Sequence, residues 1–383
     1  MRTYLMGLLS SCTGPYNVAG RSMLNGAILA TEEVNATPGP GVRLQPILAD
    51  PGGDLISYSR FCNELLDAGA RHVVGCYTSS SRKELIPVFE KRDALLWYPS
   101  HYEGFESSSN VVYTGAVPNQ HIVPLIDYVL RQSSRRRIFC IGSNYIWAWE
   151  NNRVLREIML ARGGSVLGER YFAIGDHDFG QAIEAILKTR PDFVFNTLIG
   201  SSSYRFLEAF REACATRGID QAEAMPVLGC TLSEPELDEV TPGARDGHIS
   251  SSVYFSSIGS EENRRFVAAY SRRFPEGPVA SADAEASYIA VRLLALALAE
   301  AGTDDIKPVI AAAGQQTLQA PQGEVRIDAA TMHAFLTPRI GRSRLDGGFD
   351  ILHEARTSAQ PDPYLVRNTP RLEQATVPKL RIV

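Results

Sequence analysis

The sequence predicts an α/β protein built as two doubly wound parallel-sheet lobes joined by a hinge. Three observations carry this. The chain has 383 residues, more than one ordinary hydrophobic core organises. Apolar strand-like runs alternate with helical periods almost to residue 300, the pattern of parallel sheets wound by right-handed crossovers. The alternation restarts near residue 119, which sets the lobes at 1–118 plus about 252–330, and 119–251 plus about 331–383.

In order, a strand over 4–9 precedes a helix over 21–35, with Met23, Ala27, Ala30 and Val34 on one face. Strand 42–49 leads to a helix over 54–68, opened by Asp54 as N-cap. Strand 72–75, helix 79–91 and strand 95–98 complete the first series. The second runs helix 119–131, strand 138–141, helix 148–162, strand 165–171, helix 179–188, strand 193–196, helix 201–217 and strand 226–228. A helix begins near Glu234, followed by strand 248–253, helix 261–274 and a long alanine-rich helix over 282–301. The proline-rich tail from 304 holds short strands such as 324–327 and stitches the lobes together. With no flexible linker between the halves, the joins are short ordered strands that bend at a few residues.

Composition is that of a soluble globular chain, 44% hydrophobic and 21% charged. A net charge of −5 gives no concentrated basic face for direct nucleic-acid binding. The run Arg135-Arg136-Arg137 reads as a solvated strand entry. No stretch approaches the ~20 apolar residues of a membrane span, so no membrane insertion is expected. Cysteines 12, 62, 76, 140, 214 and 230 lack the paired spacings of a zinc site or disulfide framework, which fits a reducing compartment. The start mimics a lipoprotein signal ending at Cys12, but its apolar core is only about six residues against the 7–15 of an export signal. The same residues read as the first strand, so a cytoplasmic protein is expected, or a periplasmic one if an upstream signal precedes this chain.

In open α/β sheets ligands bind beyond the carboxyl ends of strands. There the chain offers Ser10 to Gly14, Gly75 to Ser81, Tyr98 to Gly104, Gly142 to Trp147 and Asn196 to Gly200. Hydroxyls, helix-start amides and rings suit a small polar ligand. Ser79 is most simply a helix N-cap, and the same amides suit a ligand. Tyr77, Tyr98, Tyr102 and Tyr145 read singly as half-buried aromatics, and together as cleft lining. Glu234 reads either as a capping-box acid or as cleft wall. Asp176-His177-Asp178 resembles a metal cluster but reads as a helix cap. No catalytic elbow, metalloprotease helix or phosphate loop is present, so no catalytic residue, metal or cofactor is expected.

The motifs Ala49 to Asp54, Val74 to Lys83, Tyr98 to Glu106, Gly115 to Gln120, Ile141 to Tyr145, Tyr254 to Ser257, Ala320 to Gly323 and Asp362 to Tyr364 follow one another in a recognisable order. Together they resemble the amide- and urea-binding branch of the type I periplasmic-binding-protein superfamily, essentially end to end. The resemblance is closest to its cytoplasmic aliphatic-amide sensors, which hold amidase expression down. Urea and branched-chain amino acid receptors of ABC transporters are further relatives. It implies a ligand met by Tyr77, Ser79, Tyr98, Ser100 and His101 from the first lobe. From the second it implies Tyr145 and Trp147, with Thr231 and Glu234 as further wall. Two departures stand out: the amide sensors carry a threonine-proline pair at Ser100-His101 and a tyrosine at Trp147. The implied function is a sensor for a small amide or urea-like molecule, partnered by an RNA-binding antiterminator. The alternative is a transporter's receptor for urea, short amides or branched-chain amino acids. An amidase would need a nucleophile with a base partner, and none is recognisable. A homo-oligomer is compatible with either reading.

Overall fold

The computed structural model describes residues 2–37 and 41–367. The chain begins β1 (Arg2–Leu9), α1 (Asn17–Ala36), β2 (Val42–Ala49), α2 (Leu55–Asp67), β3 (His72–Gly75), α3 (Ser79–Lys91), β4 (Leu95–Tyr98) and β5 (Val111–Tyr113). It crosses to a second unit: α4 (Ile122–Gln132), β6 (Arg137–Ser143), α5 (Ile146–Ala161), β7 (Ser165–Phe172), α6 (Gly180–Thr189), β8 (Phe193–Thr197), α7 (Ser201–Ala215), α8 (Gln221–Ala224), β9 (Val227–Gly229), α9 (Glu234–Asp238) and β10 (Ile249–Ser252). It returns through α10 (Glu261–Arg273), α11 (Ala282–Ala301), α12 (Ile306–Ala313), β11 (Thr317–Ala320), β12 (Gly323–Asp328) and β13 (His333–Phe335), then crosses again to β14 (Arg339–Ser343) and β15 (Phe349–Glu354).

Two sheets result, ordered β11-β12-β13-β5-β4-β3-β1-β2 and β15-β14-β10-β9-β8-β6-β7. Strands β1 to β5 pair in parallel, as do β6 to β10. The tail departs from the all-parallel expectation. Strands β11, β12 and β13 are joined by short turns and pair antiparallel, as do β14 and β15, because a tight turn cannot make a parallel crossover. β13 adds in parallel to β5, so the first sheet reaches past residue 330.

The first core packs α1 and α11 over one face of the sheet, where Met6, Leu8, Ile289, Leu293 and Leu294 are buried. α11 is alanine-rich because α1 lies almost against it: a Cβ on Gly26 would come 1.9 Å from the Ala284 carbonyl oxygen. β1 is interior in its sheet, between β3 and β2. Asp54 caps α2, accepting from the Ser57 amide at 2.8 Å. The second core is built around Phe139, Ile141, Ile186, Phe206 and Phe210.

Candidate ligand-binding cleft between the lobes

The chain passes between the sheets three times, after β5, β10 and β13. These crossings are tied to one another. Ser251 donates its hydroxyl to the His121 carbonyl at 2.7 Å. Gln120 donates its amide to the carbonyls of Ala334 and Ala359, each at 3.0 Å. The buried Arg339 guanidinium donates to the Gln322 carbonyl and to Glu354, each at 2.8 Å, and also reaches the Val253 carbonyl. A few fixed residues thus carry the join.

Beside the crossings a cavity opens between the lobes. Its first-lobe wall is Pro99, His101, Gly115 and Ala116, with Asp283 and Ala286 from the start of α11. Its second-lobe wall is Thr231, Ser233 and Glu234, and the crossings supply His121 and 251–255. Glu234 accepts the Ser256 amide through Oε1 at 2.6 Å, while its buried Oε2 has no partner. The Asp283 carboxyl, from the other lobe, is held up to about 7 by burial and then by the charge of Glu234. Behind them Glu236 is held up to about 8 by burial and then by Asp283. No lysine or arginine among the described residues lines this cavity.

Two histidines complete the polar wall. His121 lies 3.1 Å from the Tyr102 carbonyl through Nε2, so that nitrogen carries the proton. Its Nδ1 is then a lone-pair acceptor, buried and unpartnered. Burial pulls His121 down to about 3 and His101 down to about 4, so both rings are neutral at physiological pH.

Next to the cavity an aromatic cluster spans the lobes. Tyr16 and Tyr77, from the first lobe, lie 5.3 Å apart by ring centroid. From the second, Tyr145 stacks on Trp147 at 6.4 Å, and Trp147 meets His101 edge-on at 5.5 Å. Burial raises the Tyr77 hydroxyl well above its usual value, followed by Glu236 and Asp283, which places that hydroxyl within the field of the carboxyls. Trp147 Nε1 is buried without a partner. The lobes also touch at Gly200, whose φ is +56° and where a Cβ would come 2.1 Å from the Pro15 carbonyl oxygen.

His101, Thr231 and Glu234 therefore line the cavity, while Tyr77, Tyr145 and Trp147 form the adjoining cluster. The other predicted residues face the first lobe's interior. Ser79 donates its hydroxyl to Glu103. Tyr98 donates to the Tyr77 carbonyl at 2.8 Å, and its ring lies against the buried Arg82. Ser100 is buried, its hydroxyl 3.4 Å from the His101 carbonyl. One capping expectation is corrected, and two are resolved to particular residues. Thr78, not Ser79, caps α3, because the residue before the first helical turn is the one whose hydroxyl reaches back to the Ser81 amide. The capping box of α9 is Ser233 with Glu236, the three-residue spacing a box requires, which leaves Glu234 free to face the cavity. Before α6 it is Asp178 that accepts the Gly180 amide, at 3.2 Å, while His177 turns to the Ser201 hydroxyl.

Asp283, Glu236 and His121 were not singled out from sequence. Asp283 stands in the first turn of a helix, where an acid is commonplace for the helix dipole. The S-x-x-E spacing of Ser233 and Glu236 was legible and would have separated the two glutamates.

Residues 4–370 match the sequence profile described as periplasmic binding protein domain. A Leu/Ile/Val-binding protein of Rhizobium johnstonii is 24% identical over 194 residues, 50% of this chain and 53% of that protein. A protein named limonene hydroxylase from Geobacillus stearothermophilus is 32% identical over 125 residues, 32% of this chain and 22% of that protein. The chain thus spans about a fifth to about half the length of these curated relatives. A crystal structure of an ABC-transporter solute-binding protein from R. palustris, in complex with 4-hydroxybenzoate, superposes with a TM-score of 0.83 at 20% identity, over 96% of this chain and 100% of that one. The fold and the length of the profile match leave one assignment: the chain belongs to the periplasmic binding protein family.

Proposed function

We propose that this chain is a solute receptor that closes its two lobes around a small molecule bearing N–H donors, as the binding component of an ABC-type transporter. The observation that carries the reading is the unpartnered, buried Oε2 of Glu234, a residue that lines the same cavity as Asp283. A buried carboxylate oxygen without a donor costs about 1–3 kcal/mol or more, and a ligand N–H at that place recovers it. His121 Nδ1 is a third acceptor in the same wall. Glu234 and Asp283 belong to opposite lobes, so one ligand touching both would favour a closed state by its differential affinity. Tyr145, Trp147 and Tyr77 would exclude water.

The second reading keeps this site in a cytoplasmic amide sensor that sequesters an RNA-binding antiterminator. The acceptor-rich wall also suits the NH₂ of an amide or urea, and five buried, unpaired cysteines suit a reducing compartment. A thermal-shift screen across amino acids, amides, urea, amines and aromatic acids tests the shared site, because a solute at ~100-fold its Kd stabilises by about 2.7 kcal/mol. A shift for N–H donors alone supports the reading, and a shift only for aromatic acids overturns it. Co-purification with a membrane permease or with an RNA-binding protein separates the two contexts.

A further inference from the structure

Resting on the lobe closure proposed above, the inference concerns what else holds the lobes together. We propose that Phe105 and Arg153 form a latch between the lobes, outside the solute cavity, which favours their closed arrangement with or without solute.

The latch begins at a loop tip of the first lobe, between β4 and β5, where the backbone is unusual. Gly104 and Phe105 both have positive φ, +78° and +57°. The left-handed region is unfavourable for a bulky side chain, and such a residue persists there only where its surroundings over-determine it. Glu103 and Glu106 flank the tip, and one buried guanidinium holds both. Arg82 donates to Glu106 at 2.7 Å and to Glu103 at 3.1 Å. Ser79 also donates to Glu103, and Tyr113 and Lys83 donate to Glu106 at 2.9 and 2.7 Å. The two feet of the tip thus share one charge, and the two residues between them turn outward.

What turns outward meets the second lobe. The Phe105 amide donates to the Pro363 carbonyl at 2.9 Å, two residues before Leu365, which packs in the core of Val123 and Ile126. The Phe105 ring lies against the Arg153 guanidinium of α5, 5.0 Å from the ring centroid, within the range of cation–π attraction. Arg153 is set by its own helix, donating to Glu150 at 2.9 Å and to Glu157 at 2.8 Å. Both halves of the contact are therefore prepared in advance, one by Arg82 and the other by two glutamates. Neither Phe105 nor Arg153 lines the solute cavity. A strained aromatic left 39% exposed does little for the core of its own lobe, and its contacts lie with the other.

The same loop reaches the cavity at its other end, through His101. Tyr102 braces the middle: its carbonyl meets His121 Nε2 at 3.1 Å, and its ring lies 4.4 Å from the Arg82 guanidinium. The tip is thus fixed relative to the cleft wall while making a contact of its own. That contact exists only where the lobes are together, so it shifts their equilibrium toward closure without a solute.

Hydrogen exchange of the intact chain, with no solute added, tests this. The Ser201 amide donates to the Pro15 carbonyl across the lobes at 3.3 Å, on loops that are not part of the latch, so opening exposes it. Arg153→Met and Phe105→Gly should each speed exchange in peptides covering 199–203 by about two- to fivefold, the loss of one exposed cation–π contact. The double variant should exchange no faster than the faster single one, because both remove the same contact. Phe105→Tyr keeps an aromatic face and should match wild type. Exchange in β6, inside the second lobe, should stay at the wild-type rate, because opening between lobes unfolds neither. Unchanged exchange at 199–203 in both Arg153→Met and Phe105→Gly overturns the latch, and so does a rise that β6 shares. Because no solute is present, a failed latch leaves the solute reading of the cleft standing, and a failed solute screen leaves the latch.

Discussion

Asp283, in the first turn of α11, and Glu234, at the start of α9, bring two carboxyl groups from different lobes to one cavity. Each is almost fully buried, one carboxylate oxygen of Glu234 is unpartnered, and the Asp283 carboxyl is held up to about 7 by burial and by Glu234. When both are ionised, their mutual repulsion opposes bringing the lobes together. A donor set between the two carboxyls reverses the sign, which turns a like-charge pair into a ligand-dependent clasp.

The ligand-free protein should lose stability as pH rises. Asp283 and Glu236 have folded-state pKa values raised to about 7 and about 8, above ordinary values of 3.8 and 4.5. A raised carboxyl contributes most below its unfolded value and loses that contribution as pH climbs to its folded value. Tm should therefore fall between about pH 4 and pH 8, and Asp283→Asn should flatten the fall by raising Tm at pH 8. Calorimetric melting across that range measures this, and a wild-type Tm that rises toward pH 8 would contradict it.

Gly200→Ala should impair closure. The added Cβ meets the Pro15 carbonyl across the lobe interface, and the left-handed φ of +56° adds strain of its own. X-ray scattering with the best screened solute should give a larger radius of gyration for Gly200→Ala than for wild type. Equal radii would place the closing contact elsewhere.

Ser79→Ala should act on stability more than on ligand. The hydroxyl is committed to Glu103 within the buried Arg82 cluster, so its loss leaves a carboxylate oxygen short of one donor. A cost of about 1–3 kcal/mol in unfolding free energy is expected, with ligand affinity within about threefold of wild type. A tenfold affinity loss at unchanged stability would restore Ser79 to the ligand wall.

Cys12 should not become a lipidated N-terminus. Processing there would remove β1, which pairs with both β2 and β3 in the first sheet. Mass spectrometry of protein from its own host should find peptides containing residues 4–9, and a mature chain beginning at modified Cys12 would refute this.

Elements read from the sequence and found at the same residues are those with a strong local signal. Strands β2, β3 and β4, helix α3 and helix α11 have the expected bounds, because short apolar or alternating strand runs and long amphipathic or alanine-rich helices declare themselves locally. The three-residue β5 was missed, since it is defined by its neighbours β4 and β13 rather than by its own pattern. The tail strands β11, β13, β14 and β15 were missed likewise, each held by pairing with distant partners. At the site, the aromatic residues and Glu234 were legible because they follow strand ends. Asp283 was not, because its role arises only when the starts of α11 and α9 come to line one cavity.

The most direct test of the account is calorimetric titration of wild type, Glu234→Gln and Asp283→Asn with the solute that gives the largest thermal shift. The account predicts at least a tenfold loss of affinity in both variants, with ligand-free melting temperatures at pH 8 at or above wild type. Unchanged affinity in both variants would contradict it and move the ligand away from this cavity.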